Sequence, residues 1–200
     1  MAETPRPLVL ASTSPYRAEL LGRLRLAFAT ARPEVDETPL PQETPAAMVM
    51  RLAEAKARAV APAFPDHLVI GSDQNASHAG DILGKPGDTA RAEAQLATLS
   101  GETVTFHTGL CLLDTATGST RVDQVPFTVT FRELAPDEIR HYVALDQPLD
   151  CAGSFKSEGL GISLFARMTG DDPTALIGLP LITLSHWLRA AGVAVPPATP

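Results

Sequence analysis

The sequence has few cysteines and no long apolar run. Its two cysteines, Cys111 and Cys151, form neither a CxxC motif nor a metal-ligand spacing, so we interpret both as reduced, buried thiols. No apolar segment approaches the length of a membrane span, and the first apolar run is too short for the core of a signal peptide. We therefore expect a cytoplasmic protein that has no membrane partner.

An excess of positive charge is also missing. The net charge is −7 at neutral pH, which disfavours binding to nucleic acids and to anionic membranes. A polyphosphate ligand would then need a local cluster of lysine and arginine, together with a metal. Because 44% of the residues are hydrophobic and 20% are charged, we expect a globular chain rather than a disordered one.

Several catalytic signatures are absent as well. The chain has no Walker A loop, no dinucleotide-binding fingerprint and no GxSxG motif, and its five histidines show no metal-ligand spacing. It also lacks internal repeats and a clear linker. We predict a single domain over residues 1–192, followed by a loose proline-rich tail at 193–200.

A polar turn joins a predicted strand to a predicted helix near the start of the chain. Residues 8–11 are apolar, while Ser14 and Pro15 suit the N-cap and first position of a helix. The free N–H groups and positive dipole end of such a helix favour phosphate, and Ser12 and Arg17 would add contacts. An ordinary capped helix, ending near residues 24–26, explains this stretch alone equally well.

An acidic loop and a long helix follow. Residues 32–39 contain two prolines and three carboxylates, including Glu37, and predict an extended loop. Residues 45–61 predict a helix whose apolar stripe contains Lys56, four residues after Leu52 and four before Val60. A lysine on a buried stripe either extends to the rim or directs its ammonium into a site, and we favour the site.

A second apolar run predicts a central strand at residues 68–71. Asp73 follows its predicted end, the position at which open α/β sheets bind ligands. Residues 82–86 predict the second arm of a β-hairpin, which would bring Lys85 back toward Asp73. A plain hairpin with a surface lysine is a serious alternative.

The remaining elements are a helix, two long strands and two further helices. We predict them at 88–100, at 103–113 and 122–131, from residue 136, and at 176–191. Between the last two helices, residues 151–165 are rich in glycine and contain a charged patch at 154–158. Glycines around charges are typical of a binding loop, although an irregular pair of strands would also fit.

Eight short motifs in this chain resemble, in the same order, those of the Maf family of nucleotide pyrophosphatases. They are LASTSPYR at 10–17, EVDE at 34–37, RLAEAKA at 51–57, GSDQ at 71–74, GKP at 84–86, TG at 108–109, AGSFKSEG at 152–159 and GLPL at 178–181. Together they span almost the whole chain, and their order makes the resemblance far more specific than any single motif.

The resemblance implies a fold and a reaction. The fold is a mixed, strongly twisted α/β sheet flanked by helices, with two lobes and a central cleft, as in Maf and ITPase-like proteins. The reaction is hydrolysis of a nucleoside triphosphate to a monophosphate and pyrophosphate with a divalent cation, Mg²⁺ or Mn²⁺. By the same resemblance Asp73 is the general base, Ser12, Arg17, Lys56 and Lys85 bind phosphate, and Glu37 holds the metal with Asp73.

The residues at three positions match those of one branch of the family. Tyr16, Gln74 and Glu158 match the branch that acts on 7-methyl-GTP, whereas the dTTP and UTP branch has Arg, Thr and Gln at these positions. A dTTP or UTP pyrophosphatase is thus one alternative. A nucleotide-binding regulator of cell division and septum formation without turnover is another. We leave open which metal is preferred and whether the chain forms a homodimer.

Overall fold

We describe residues 6–197 of a computed structural model. The strands are β1 (Leu8–Ala11), β2 (Phe28–Ala31), β3 (Leu68–His78), β4 (Asp81–Leu83), β5 (Thr103–Asp114), β6 (Thr120–Phe131) and β7 (Phe165–Thr169). The α-helices are α1 (Pro15–Gly22), α2 (Pro45–Val60), α3 (Thr89–Leu99), α4 (Pro136–Asp146) and α5 (Leu181–Ala190). Short 3₁₀ helices lie at Ala61–Ala63, Leu160–Leu164 and Pro173–Ile177. Over this range no helix has the length and apolar character needed to cross a membrane.

The strands form one mixed sheet. Its order is β2-β1-β3-β5-β6-β7, and β4 pairs with β3. β1 runs parallel to β2 and β3, whereas β4 is antiparallel to β3 and β7 is antiparallel to β6. This mixed α/β sheet flanked by helices confirms the predicted class.

The described residues divide into two compact units, and the single domain predicted over residues 1–192 stays a prediction. In the range that the structure describes, the first comprises residues 6–74, 108–125 and 172–197, and the second comprises residues 75–107 and 126–171. A cleft between two lobes stays a prediction. Residues 1–5 of the predicted domain and residues 198–200 of the predicted tail lie outside the described residues.

The first unit buries both faces of β1. β1 is buried at every position, as expected for a parallel strand covered on each side. One face packs with α1 and α5, and the other with α2. The first cluster includes Leu8, Leu10, Leu20, Leu21, Leu68, Ile70, Leu184, Leu188 and Val193. The second includes Val9, Ala11, Ala53, Ala57, Val60, Val69 and Cys111. Because Val193 is buried in the first cluster, the predicted tail begins inside the core.

Local capping chemistry sets the helix starts. Ser14 Oγ accepts a hydrogen bond from the Arg17 N–H, and Thr44 Oγ1 accepts one from the N–H of Ala47. Asp88 caps α3 in the same way. These caps confirm the predicted starts. α1 ends at Gly22 rather than near residues 24–26, and Arg25 adopts a positive φ of 56° in the turn that follows.

β3 is longer than the apolar run predicts. It continues from Gly71 to His78, and its second half pairs with β4 in the register Ala76 to Leu83. The connecting turn places Ala79 and Gly80 at φ values of 51° and 94°, as a two-residue type I′ hairpin requires. The hairpin is confirmed, but β4 ends at Leu83. Lys85 therefore follows the strand instead of lying in it.

The last helix starts later than predicted. Residues 173–177 form a 3₁₀ turn, and Gly178 then adopts a φ of 118°, which only glycine accepts readily. Pro180 precedes the first residue of α5, Leu181. The predicted helix at 176–191 was wrong over its first turn because this left-handed glycine separates the 3₁₀ turn from α5.

Candidate active site

Lys56 forms the centre of the candidate site. Its Nζ lies 2.6 Å from Asp73 Oδ1 and 2.7 Å from Glu37 Oε1. Lys56 and Asp73 are only 6% and 7% exposed, whereas the Glu37 side chain is 58% exposed. The lysine therefore directs its ammonium toward carboxylates rather than extending to the rim. The structure brings these three predicted residues together in the first unit.

Two glycines allow α2 to lie close to the sheet. A Cβ at Gly71 of β3 would stand 2.0 Å from the carbonyl oxygen of Ala53. A Cβ at Gly109 of β5 would stand 2.1 Å from the carbonyl oxygen of Val49. Since real Cβ atoms do not approach so closely, only glycine fits at either position. This close approach allows Lys56, one turn after Ala53, to reach Asp73, two residues after Gly71.

Arg17 is oriented by a backbone carbonyl. Its Nε donates to the carbonyl oxygen of Gly178 at 2.8 Å, and the same oxygen accepts a bond from Ser72 Oγ at 2.9 Å. Burial lowers the pKa of the Arg17 guanidinium, while the negative charges of Asp73 and Glu37 raise it. Arg17 therefore shares the electrostatic environment of the two carboxylates. The hydrogen bond to Gly178 is donated by Nε, and the two terminal nitrogens take no part in it.

Ser12 belongs to the turn before α1. It is buried, and its Oγ accepts a hydrogen bond from the N–H of Ser14 at 3.1 Å. Its hydroxyl therefore stabilises the turn that presents the start of α1. Tyr16 lies in the first turn of that helix and is partly buried. The phosphate role of Ser12 and the base-recognition role of Tyr16 stay predictions.

Gln74 lies on the opposite face of β3 from Asp73, because neighbouring strand residues alternate. Its Nε2 donates to the carbonyl oxygens of Ala175 at 2.7 Å and Leu176 at 3.0 Å. Thr108 Oγ1 lies 3.0 Å from the same nitrogen and donates to the Ala175 carbonyl at 2.8 Å. These acceptors fix the orientation of the Gln74 amide. Its Oε1 atom takes no part in these hydrogen bonds.

Two predicted site residues belong to the second unit. Lys85 is exposed just after β4. Glu158 is also exposed, and its carboxylate accepts a hydrogen bond from Ser157 Oγ at 3.3 Å. Their predicted roles in binding phosphate and base stay predictions.

The donor chemistry of the first unit fits a divalent cation. Glu37 and Asp73 place carboxylate oxygens around a single ammonium, so these oxygens lie close together. Over residues 6–197 no group of three or more His, Cys, Asp and Glu side chains could hold a metal ion. Mg²⁺ commonly takes one or two carboxylates and completes its shell with water and substrate phosphates. The two carboxylates suit that kind of site.

The class of fold is shared with a solved protein. The chain is similar to the structure of the Staphylococcus aureus Ham1 protein, with a TM-score of 0.51 and 12% identity over 92% of this chain and 99% of that one. The Maf-like protein family matches residues 7–191. The chain therefore belongs to the Maf family, which confirms the resemblance found in its sequence.

Similar proteins carry a specific name. A 7-methyl-GTP pyrophosphatase of Aromatoleum aromaticum is 58% identical over 94% of this chain and 97% of its own length. Proteins of the same name from Nitrosococcus oceani and Pseudomonas putida are 55% and 56% identical over 96% and 95% of this chain. The matched regions cover 96% and 99% of the lengths of these two proteins. The similarity thus spans nearly complete chains.

Proposed function

We propose that this chain is a nucleoside triphosphate pyrophosphatase that hydrolyses 7-methyl-GTP to 7-methyl-GMP and pyrophosphate. The observation that carries the proposal is the buried Lys56 ammonium held by Asp73 and Glu37, in the same electrostatic environment as Arg17. High identity to 7-methyl-GTP pyrophosphatases over almost the whole chain supports the substrate.

Arg17 and Lys56 would bind the triphosphate. The terminal nitrogens of Arg17 form a planar fork that suits two phosphate oxygens, and the bond from Nε to Gly178 restricts the rotation of this fork. The N-terminus of α1 adds N–H groups and the positive end of its dipole. Lys56 contributes a cation that Asp73 and Glu37 already hold in place. By the family resemblance, Lys85 would add a further cation.

Asp73 would act as the general base. Its Oδ1 accepts from Lys56, so Oδ2 is the oxygen that would take a proton from the attacking water. The water oxygen forms a bond to the α-phosphorus, and the bond from that phosphorus to the bridging oxygen breaks. The electron pair of the broken bond leaves with pyrophosphate. Lys56 fixes the position of the carboxylate throughout.

Glu37 and Asp73 would hold the divalent cation. When bound, that cation offsets the charge of the phosphate groups. The protein itself provides these two carboxylates, and water and phosphate oxygens would complete the coordination. The exposed side chain of Glu37 has room to turn one oxygen toward a cation while it stays near Lys56.

Glu158, Tyr16 and Gln74 would select the base. The Watson–Crick edge of guanine presents two adjacent donors, N1–H and N2–H, which one carboxylate can accept together. Methylation at N7 adds a positive charge that favours the carboxylate of Glu158 and the ring of Tyr16. Since the Gln74 amide donates to Ala175 and Leu176, Oε1 is the atom it would offer to a ligand.

A nucleotide panel tests the proposal directly. Purified protein is incubated with 7-methyl-GTP, GTP, dTTP or UTP, and pyrophosphate and orthophosphate are measured separately. We expect pyrophosphate to be released fastest from 7-methyl-GTP. Stepwise release of orthophosphate would mean that another bond is cleaved, and binding without turnover would favour the regulator. The expected setting is the cytoplasm, where the enzyme would remove modified nucleotides.

A further inference from the structure

Glu158 lies in a tight turn of the second unit. The Gly159 N–H donates to the Lys156 carbonyl oxygen at 3.2 Å, so Lys156 and Gly159 are the first and last residues of this turn. Glu158 is the third residue of the turn, and its side chain is exposed. The position of its carboxylate therefore depends on how the two ends of the turn are held.

The first residue of this turn is attached to the end of α4. Lys156 Nζ donates to the carbonyl oxygens of Asp146 at 3.0 Å and Gln147 at 3.3 Å. The Lys156 N–H donates to the hydroxyl oxygen of Tyr142 at 3.0 Å. The last carbonyls of a helix lack partners within the helix and lie at the negative end of its dipole, so an ammonium is well suited to bond them.

Glycines allow the turn to lie directly against α4. A Cβ at Gly161 would stand 2.5 Å from the Lys156 carbonyl oxygen and 2.9 Å from the Tyr142 hydroxyl. A Cβ at Gly159 would stand 3.1 Å from a carboxylate oxygen of Asp146. Burial raises the pKa of Tyr142 above its ordinary value of 10.0, so the hydroxyl stays neutral. The first end of the turn is thus bonded to α4, and the last end lies close to it.

We propose that Lys156 is a positioning residue that sets the place of the Glu158 carboxylate and thereby the preference for 7-methyl-GTP over GTP. The inference rests on the proposed function, since it takes Glu158 as the group that reads the base. The Lys156 ammonium is directed to the carbonyls of Asp146 and Gln147, so we assign it a positioning role and not a catalytic one. The charged patch of residues 154–158 therefore combines one anchor with one recognition group.

The first experiment measures selectivity. We compare kcat/KM for 7-methyl-GTP and for GTP in the parent, in Lys156→Met, which removes the ammonium, and in Lys156→Arg, which keeps a cation. The ratio should fall by about tenfold in Lys156→Met, since a misplacement of about 1 Å can cost up to a hundredfold. Lys156→Arg should restore most of the ratio.

Arg132→Gln is the matched control. Arg132 donates its Nε to the carbonyl oxygen of Ser163 at 2.8 Å and pairs with Glu138 of α4, so it also ties a cation to this unit. Neither of these two contacts involves the turn of residues 156–159. Its loss should lower the melting temperature and leave the selectivity ratio unchanged. A ratio that falls equally in both variants would overturn the proposal.

Two further measurements separate this inference from the proposed function. Amide hydrogen exchange across residues 156–161 needs no substrate and should speed up in Lys156→Met, and unchanged exchange there would overturn the positioning role. In a Glu158→Gln background, Lys156→Met should not change the selectivity ratio further. A further fall in that background would show that Lys156 acts by another route. A parent that lacks any preference for 7-methyl-GTP would contradict the proposed function instead.

Discussion

Arg17 donates its Nε–H to the carbonyl oxygen of Gly178 at 2.8 Å, across 161 residues of sequence. Ser72 Oγ lies 2.9 Å from the same oxygen and 2.9 Å from the carbonyl oxygen of Gly109, so its single hydroxyl proton is shared between the two carbonyls. A Cβ at Gly178 would stand 3.4 Å from Arg17 Nε, so the glycine lies directly against the guanidinium. The orientation of this arginine thus depends on a carbonyl that Ser72 helps to hold.

Ser72→Ala should weaken pyrophosphate binding about fivefold. One hydrogen bond contributes about 1 kcal/mol, and its loss would let the Gly178 carbonyl and Arg17 shift. The inhibition constant of pyrophosphate measures the effect. If Ser72 acts through Arg17, the same substitution should have almost no effect in an Arg17→Ala background.

Thr115→Val provides the comparison for Ser72. Thr115 Oγ1 lies 2.7 Å from the carbonyl oxygen of Phe64 and 3.1 Å from that of His67 in the same unit, so its single hydroxyl proton is shared between them. We expect this variant to lose stability and to keep the inhibition constant of the parent. Additive effects of Ser72→Ala and Arg17→Ala would instead assign Ser72 a general structural role.

Gly71→Ala should reduce both stability and turnover. The new Cβ would stand 2.0 Å from the backbone oxygen of Ala53, so α2 must move away from β3. Overpacking of this kind typically costs about 1–3 kcal/mol, and the shift would separate Lys56 from Asp73. Thermal unfolding should show a melting temperature lower by roughly 2–12 °C.

Gly22→Ala is the control for Gly71→Ala. A Cβ there meets nothing within 4 Å, and the residue ends α1. Its melting temperature should equal or exceed that of the parent, since alanine favours helix more than glycine. Equal stability of the two variants would show that α2 adapts to the extra carbon.

Much of the fold could be predicted because its signals are local. A cap such as Ser14 or Thr44 satisfies helix N–H groups through its own side chain, so it marks a boundary in the sequence. The second half of β3 carries no such signal. It is polar, and its pairing with β4 rather than its hydrophobicity decides the strand. The break at Gly178 was missed because apolar residues on both sides have helical spacing.

The candidate site could be predicted only where side chains carry the chemistry. Lys56 stood out because a charge interrupts an apolar stripe, and the structure confirms its inward direction. The carbonyl of Gly178 has no side-chain signature, so its contact with Arg17 could not be expected. Lys156 was assigned to a binding patch, whereas its ammonium bonds the end of α4. Glycines in apolar strands, such as Gly71 and Gly109, were the available signal for close approach.

Asp73→Asn should leave the fold intact and remove most turnover. Asparagine keeps an oxygen that can accept from Lys56 Nζ, so the contact at 2.6 Å can persist in weaker form. A positioned general base contributes on the order of 10²- to 10⁴-fold, and kcat should fall by about that factor. Thermal unfolding controls for stability. Near-normal kcat would move the base elsewhere, with Glu37 as the next candidate.

Removal of divalent cations should abolish turnover. EDTA treatment is expected to stop pyrophosphate release, and added Mg²⁺ or Mn²⁺ should restore it. Glu37→Gln should raise the cation concentration needed for half-maximal turnover by on the order of tenfold. Direct titration of the cation by calorimetry checks the same change without substrate.

Glu43→Gln controls for the general loss of a carboxylate near α2. Glu43 Oε1 lies 2.6 Å from Arg51 Nε, so its carboxylate is paired with a different cation from Lys56. This variant should keep the cation dependence of the parent. Full turnover of the parent in EDTA would contradict any role for a metal.

Glu158→Gln should lower kcat/KM for 7-methyl-GTP more than for GTP. The change removes a negative charge while it keeps the size of the side chain, so only the cationic base loses a charge-matched partner. Ser157 Oγ donates to this carboxylate and can also donate to the amide oxygen of glutamine. An equal loss for both nucleotides would mean that Glu158 does not sense the methyl group.

The triple variant Tyr16→Arg, Gln74→Thr and Glu158→Gln should shift preference toward dTTP and UTP. Thymine and uracil present an acceptor, a donor and an acceptor, which an amide and a guanidinium meet better than a carboxylate does. Loss of Tyr16 also removes a contact worth about 0.5–2 kcal/mol to a cationic base. Gln74→Thr removes the amide bonds to the carbonyls of Ala175 and Leu176, of which the first still accepts from Thr108, so this single variant serves as the folding control. A triple variant that folds and keeps the parent's ranking of the four nucleotides would place base recognition in other residues.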